Sequence, residues 1–255
     1  MNPQAPDNAG FLRSLWHVKP GHAWMLSLSL LVVLAVVRYY AVFGPPQARV
    51  LFLLHCLAMW ALPFIFLTAD GRRQIGLCKP GHPVSAIALS VLAGAVCGLA
   101  VFALGFLLYG NLPDNWNLSI RDSFQIDQLR ALMPRAAVFA VITLPAMILT
   151  PIGEEILFRG FIQQSFTLRC NALLATLVNG LAFGLVHLHV HGLWRDATGF
   201  HLRLVSGALM VLLLAAASAA FTLCRLRSGS LYAAMAAHAA CNLAMISAVF
   251  FRFCG

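Results

Sequence analysis

Charged residues are scarce in this chain of 255 residues. Only 10% of its residues are charged and 61% are apolar, whereas soluble proteins average about 25% charged and about 45–50% apolar. This composition excludes an ordinary soluble domain and a disordered chain. The net charge is +9, yet no run of four or more Lys or Arg occurs, so we expect no nucleic-acid partner. The balance instead indicates a polytopic membrane protein whose partner is the lipid bilayer.

The sequence also lacks the cysteine spacings of a metal ribbon. Its seven cysteines include no Cys-x-x-Cys pair. Cys56, Cys97 and Cys241 lie within apolar runs, where buried cysteines usually act as small inert side chains. We therefore predict neither a disulfide framework nor a zinc ribbon.

The chain contains many long apolar runs. A helix that spans a bilayer needs about 20 apolar residues. Seven segments qualify; Arg38 lies near the end of the first, and Pro145 and Pro151 interrupt the fourth. They cover 24–43, 50–69, 84–109, 136–166, 171–190, 204–224 and 231–251. The predicted fold class is all-α, a polytopic transmembrane bundle of about seven to eight helices.

We divide the chain into three parts by this pattern. Residues 1–23 are polar enough for an interfacial amino-terminal segment, with apolar side chains at helical spacing among basic ones. Residues 24–135 hold the amino-terminal transmembrane helices and a polar connection at 110–135, expected to form a surface helix or a lid. Residues 136–255 form a transmembrane core that contains every candidate catalytic residue.

Glycines at Gly-x-x-x-Gly spacing occur in two of the apolar segments, as Gly94/Gly98 and Gly180/Gly184. Small residues at this spacing let two helix backbones approach closely. We predict that both pairs pack helices within the bundle rather than joining two copies of the chain.

The only two glutamates of the chain, Glu154 and Glu155, lie next to each other in an apolar stretch. A charge in the middle of a membrane costs about 2.5–3.5 kcal/mol on insertion scales, so such residues are functional candidates. Glu155 and Arg159 have i,i+4 spacing and can pair, while Glu154 is turned away by about 100°. Either a helix restarts at Thr150 and Pro151, or one long helix is kinked there. The alternative to a catalytic role is an ion pair that only joins helices.

A second polar group lies in the fifth apolar segment. Asn179, Phe183 and His187 fall on one helical stripe, and a histidine at this depth is a candidate base, ligand or hydrogen-bond donor. His189 and His191 follow where the helix should reach the membrane surface, and we expect them to be interfacial side chains outside the site.

A third polar group lies in the last apolar segment. His238 and Asn242 share one face of an alanine-rich helix, which permits tight packing against a neighbour. Such a pair on its own is most often an interhelical hydrogen bond. Because polar groups within the bilayer must find partners, we expect all three groups to converge at one place in the bundle.

With these residues, the sequence resembles the CAAX protease and bacteriocin-processing (CPBP, or Abi) family of intramembrane endopeptidases, which includes the type II CAAX prenyl endopeptidases. Three motifs of that family occur in its order. They are Glu-Glu-x-x-x-Arg at Glu154, Glu155 and Arg159, Phe-x-x-x-His at Phe183 and His187, and His-x-x-x-Asn at His238 and Asn242. The resemblance covers about 143–248, and the amino-terminal half resembles the family only in its apolar helices.

The resemblance implies hydrolysis of a peptide bond without a covalent acyl-enzyme. Glu154 and His187 would hold and deprotonate a water molecule, and Glu155 would support the site through Arg159 or His238. His238 and Asn242 would donate hydrogen bonds to the oxyanion, with Phe183 and Asn179 in supporting positions. The substrate would be a membrane-associated protein or peptide, which in this family can be lipidated.

Three alternatives stay open. No cofactor is expected, but a zinc ion held by Glu154, His187 and His238 would give a His₂Glu site with an open position for water. Paired acids with intramembrane histidines also suit a transporter, and a non-catalytic membrane scaffold could use the same fold. In each case we expect an integral, multi-pass protein, located in the cell membrane of a prokaryote.

Overall fold

The computed structural model describes residues 10–16 and 22–253. Within them, seven helices are long and apolar enough to cross a membrane, which confirms the predicted all-α transmembrane bundle. These helical spans are Ala23–Phe43, Pro46–Phe66, Pro83–Tyr109, Arg135–Thr167, Ala172–His189, Leu204–Ser228 and Leu231–Phe253. Many of their large apolar side chains are exposed, as the lipid-facing surface of a bundle requires.

The structure adds short elements between the spans. The α-helices are α1 Ala23–Phe43, α2 Val50–Phe66, α3 Ala69–Gln74, α4 Pro83–Tyr109, α5 Trp116–Ser123, α6 Ile126–Arg130, α7 Arg135–Glu155, α8 Gln163–Thr167, α9 Ala172–Val186, α10 Leu204–Ser228 and α11 Leu231–Phe253. Three-residue or four-residue 3₁₀ turns occupy Ser14–Trp16, Pro46–Arg49 and His187–His189. An antiparallel hairpin of β1 Leu193–Asp196 and β2 Gly199–Leu202 follows α9.

The fourth span is one continuous helix, so the alternative of a helix that restarts at Thr150 and Pro151 is wrong. Helix α7 runs through Pro145 and Pro151. It then continues as a π-helical segment, Ile156–Ile162, into α8. Thr150 donates its hydroxyl hydrogen bond back to the Ala146 carbonyl (3.4 Å) within the helix. Glu155 directly precedes the π-helical segment and Arg159 lies inside it. Such segments are frequent at functional sites.

The glycine pairs pack helices inside the bundle, as predicted. A side-chain carbon added at Gly94 would meet the backbone of Ala237, and one at Gly98 the backbone of Cys241. Helix α4 therefore lies directly against α11, the helix that carries His238. The second pair acts in the same way between α9 and α10, where Gly184 faces Val211.

The polar connections lie at the ends of the bundle. The connection at 110–135 forms the two short helices α5 and α6, and Trp116 of α5 is fully buried with its indole N–H on the Val101 carbonyl of α4 (2.9 Å). At the opposite end, Phe11 is buried in the main apolar core and Leu12 pairs with Leu67. The remainder of the predicted interfacial segment, 1–9 and 17–21, lies outside the described residues.

Candidate functional site

The functional candidates gather where α7, α9 and α11 pack together. Glu154 and Glu155 end α7, Arg159 follows in the π-helical segment, His187 follows α9, and His238 lies on α11. The two carboxylates and the guanidinium are at most 1% exposed. Three segments that are separate in the sequence thus meet around one buried pair of acids.

Glu155 is the structural centre of this cluster. Its Oε1 accepts a hydrogen bond from Nδ1 of His238 (2.7 Å) and lies 3.0 Å from Nη1 of Arg159. The guanidinium of Arg159 lies 4.4 Å from the ring centre of Phe183 and 5.1 Å from that of Phe221. Ring faces attract a cation, so the buried charge of Arg159 is balanced by one carboxylate and by aromatic rings.

Glu154 has a different environment. Its Oε1 accepts a hydrogen bond from Nη1 of Arg38 (2.5 Å). Its Oε2 lies 3.7 Å from Nε2 of His187 and 3.8 Å from Nε2 of His238, and has no hydrogen-bond partner among the described residues. A buried polar oxygen without a partner is uncommon. Two imidazole nitrogens therefore lie within 4 Å of this buried carboxylate oxygen.

The two imidazoles are oriented by their other nitrogen. Nδ1 of His187 lies 2.7 Å from the Phe183 carbonyl, which can only accept, so Nδ1 carries the proton. Nδ1 of His238 faces the Glu155 carboxylate in the same manner. The ring of Phe183 contacts both imidazoles, with centres at 4.6 Å and 5.7 Å. Both Nε2 atoms are thereby fixed toward Glu154.

Sequence reasoning missed Arg38 as a member of the site. Arg38 lies on α1, is 6% exposed, and also donates from Nε to Nε2 of His189 (3.2 Å). The signal was present, because an arginine inside an apolar span needs an internal partner. The sequence did not indicate which of the few acids that partner would be.

The two asparagines make their hydrogen bonds to neighbouring helices. Nδ2 of Asn242 donates to the Ala146 carbonyl of α7 (2.8 Å). Asn179 is fully buried, and its Nδ2 lies 3.5 Å from the Thr222 hydroxyl of α10. In the structure, both side chains join helices.

The prediction that His189 and His191 are interfacial side chains is wrong for His191. His191 is 1% exposed and is held between the Ser119 hydroxyl (2.8 Å) and the Ser206 hydroxyl (2.9 Å). Burial, followed by the nearby Arg203 cation, lowers the pKa of His191 from 6.5 to about 4. These partners belong to α5 and α10, and a helix pattern in the sequence does not reveal them.

The zinc alternative depends on Glu154, His187 and His238. Across the part of the chain that the structure describes, no group of three or more His, Cys, Asp or Glu side chains has an arrangement suited to a metal ion. Oε1 of Glu154 is hydrogen-bonded to the guanidinium of Arg38 (2.5 Å). A cation already neutralises this carboxylate.

Comparison with known proteins gives a family match over the carboxy-terminal part of the chain. Residues 136–244 match the family model described as type II CAAX prenyl endopeptidase Rce1-like. Searches of curated proteins and of solved structures found no match. The match begins at the start of α7 and ends in α11, so it includes all the helices that carry the acids and the imidazoles. Over 136–244, this membrane-spanning chain is therefore similar to the type II CAAX prenyl endopeptidases of the Rce1-like family.

Proposed function

We propose that this protein hydrolyses a peptide bond of a membrane-associated protein or peptide, with a water molecule activated by Glu154 and His187. The observation that carries the proposal is the buried Oε2 of Glu154, which has no partner among the described residues and faces Nε2 of both His187 and His238. A water molecule bound there would meet one carboxylate and two ring nitrogens. This is the arrangement that general-base catalysis requires.

The orientation of each group assigns its step. A neutral His187 with its proton on Nδ1 accepts one water hydrogen at Nε2, and Glu154 accepts the other at Oε2. As Glu154 takes that proton, the water oxygen bonds to the carbonyl carbon and the carbonyl electron pair moves to its oxygen. Glu154 then returns the proton to the amide nitrogen, the carbon–nitrogen bond breaks, and a carboxylic acid and an amine are released.

The surrounding residues position these groups. Arg38 binds Oε1 of Glu154 and leaves Oε2 for the water, while Glu155 fixes the ring of His238 and is itself paired with Arg159. In this proposal His238 carries a proton on each ring nitrogen, so Nδ1–H is given to Glu155 and Nε2–H to the oxyanion. The family motif implies that Asn242 also donates to the oxyanion. One hydrogen of its side-chain amide is donated to the Ala146 carbonyl, and the other is available for the oxyanion. Oxyanion donors contribute about 3–4 kcal/mol each.

We favour a reaction without zinc. The Arg38 guanidinium at 2.5 Å from Glu154 supports this choice, because a second cation beside it would be repelled. The test is metal analysis of the active protein with chelator treatment. Activity that persists with less than stoichiometric zinc is expected, and stoichiometric zinc whose removal abolishes cleavage would contradict the proposal.

We place the enzyme in the cell membrane of a prokaryote, acting on substrates held at or in the bilayer. Substrates with a lipid anchor fit this location, and the matched family is described as type II CAAX prenyl endopeptidase. Seven apolar spans support a site within the membrane.

The decisive experiment compares the peptides of cells that contain the wild-type protein with those of cells that contain Glu154→Gln. We expect an uncut membrane-proximal peptide to accumulate in the variant, with a loss of cleavage of about 10²–10⁴-fold. Asp70→Asn, a change at an exposed acid, is the control and should cleave normally. A transporter or scaffold predicts no difference in these peptides, and that result would overturn the proposal.

A further inference from the structure

An open groove of about 740 Å³ lies between the end of α1 and the β-hairpin. Its walls are mainly aromatic and aliphatic, and the residues that line it include Tyr39, Tyr40, Phe43, Leu193, Arg195 and Phe200. The groove has the volume of a typical ligand site. It lies at the end of the first span, and therefore at one surface of the membrane.

The groove is connected to the candidate active site through α1. Tyr39 contacts the ring of His189 (5.6 Å between centres), and Nε2 of His189 accepts from Arg38. Arg38 in turn binds Glu154. Neighbouring residues of one helix thus line the groove and hold the proposed catalytic acid. The side chain of His187 is 14% exposed, which makes it more accessible than Glu154 or His238.

The strand β1 presents backbone groups that the hairpin does not use. Arg203 donates its backbone N–H to the Gly192 carbonyl (2.7 Å). This makes Gly192–Arg203 a hydrogen-bonded pair. Hydrogen-bonded and non-hydrogen-bonded pairs alternate in an antiparallel ladder, so Leu193–Leu202 and Arg195–Phe200 are non-hydrogen-bonded pairs. The N–H and C=O groups of Leu193 and Arg195 therefore point away from β2, and no backbone partner meets them among the described residues.

The charge of Arg195 is not matched by an acid. Its Nη1 donates to the Phe43 carbonyl (3.0 Å), and its guanidinium lies over the ring of Phe200. In the described part of the chain no carboxylate pairs with it, although Asp196 is its neighbour. The Asp196 carboxylate is occupied by Thr198 and His201, and these hydrogen bonds lower its pKa to about 2.

We propose that this groove binds an extended segment of the substrate peptide, which adds to the outer edge of β1, places apolar side chains between α1 and the hairpin, and pairs a carboxylate with Arg195. The inference rests on the proposed function, because it makes the groove a substrate subsite beside the catalytic water. An extended peptide can use the free backbone groups of β1. A lipid chain has no donors or acceptors for them, so the edge favours a peptide.

The test measures binding and is independent of catalysis. A fluorescently labelled apolar peptide is titrated into detergent-solubilised Glu154→Gln protein, in versions with Glu, Gln or Lys at one position. We expect the Glu peptide to bind about three- to tenfold more tightly than the Lys peptide. Arg195→Glu should invert this order. Each peptide is measured with a free and with an amidated carboxyl terminus. If Arg195 binds a side-chain carboxylate, amidation leaves the preference for Glu unchanged, whereas binding of the terminal carboxylate is lost on amidation.

A second probe addresses the strand edge. Methylation of one backbone nitrogen of the peptide removes a donor, and we expect about a tenfold loss of binding at positions that pair with β1. Leu193→Trp fills the groove and should weaken the binding of every peptide, with unchanged thermal unfolding.

The control is Arg49→Glu, which makes the same change of charge at an exposed residue on the same side of the bundle but outside the groove. It should leave the preference for Glu over Lys unchanged. The inference is overturned if Arg195→Glu does not alter the preference, or if backbone methylation has no effect at any position, as expected for a lipid-filled groove. Failure of the proposed function shows separately, as cleavage by Glu154→Gln.

Discussion

The carboxy-terminal core and the amino-terminal helices contribute to the site in different ways. The core, 136–244, supplies the two acids, Arg159 and both imidazoles, and it is the region that matches the protease family. The amino-terminal helices supply Arg38, which makes the shortest contact to Glu154, and one wall of the groove. The comparison indicates that the residues proposed for the chemistry belong to the shared core. A helix outside the matched region restrains them.

The largest effect is expected inside the core, from Glu155→Gln. This change leaves the fully buried Arg159 without its carboxylate, and breaking a buried ion pair costs about 3–5 kcal/mol. Thermal unfolding in detergent should show the loss. The double variant Glu155→Gln/Arg159→Gln should recover much of the stability but not cleavage, because His238 still lacks its orienting partner. A single variant as stable as wild type would contradict this picture of the core.

The next effect tests the contribution of the amino-terminal half. Arg38→Met should lower kcat by about 10²-fold, as expected when a reacting group loses its position, with a much smaller change in KM. Arg38→Lys should restore part of the rate, since an ammonium group keeps the charge at a similar length. Arg49→Met is the control with the same chemical change at an exposed site. An unchanged kcat in Arg38→Met would show that the core works without α1.

A smaller loss of stability and of cleavage is expected from disturbing the packing between the two halves. In Gly94→Ala the new methyl group meets the Ala237 backbone of α11, and overpacking costs about 1–3 kcal/mol. Because His238 follows Ala237, cleavage should fall together with the unfolding temperature. Gly81→Ala, at a position with open space around it, is the control. A Gly94→Ala protein of wild-type stability would exclude the close approach of α4 and α11.

The smallest effect concerns the hydrogen bonds that join α5 of the amino-terminal half to the core through His191. The unfolded chain binds a proton at His191 below a pH of about 6.5, and the folded protein only below about 4. Stability from this residue is therefore complete above pH 6.5 and is lost as the pH falls toward 4. Unfolding temperatures measured across this window should fall more steeply in wild type than in His191→Gln. Equal slopes would contradict a buried, neutral His191.

Much of the candidate site could be predicted because its signals are local. Two glutamates in an apolar stretch and histidines at helical spacing mark intramembrane groups that need partners. The role of Arg38 could not be predicted, because its partner lies 116 residues away along the chain. The burial of His191 was missed since it depends on Ser119 and Ser206, which only folding brings near.

By itself the sequence determined the membrane bundle, its seven spans and the acids and imidazoles of the site, because hydropathy, helical periodicity and short motifs are properties of neighbouring residues. Only the tertiary structure decided that α7 continues through two prolines, that Glu154 and Glu155 have different partners, and that the end of α1 and a hairpin line an open groove. Those features depend on contacts between distant segments, and helix packing sets such contacts through the combined shapes of many side chains.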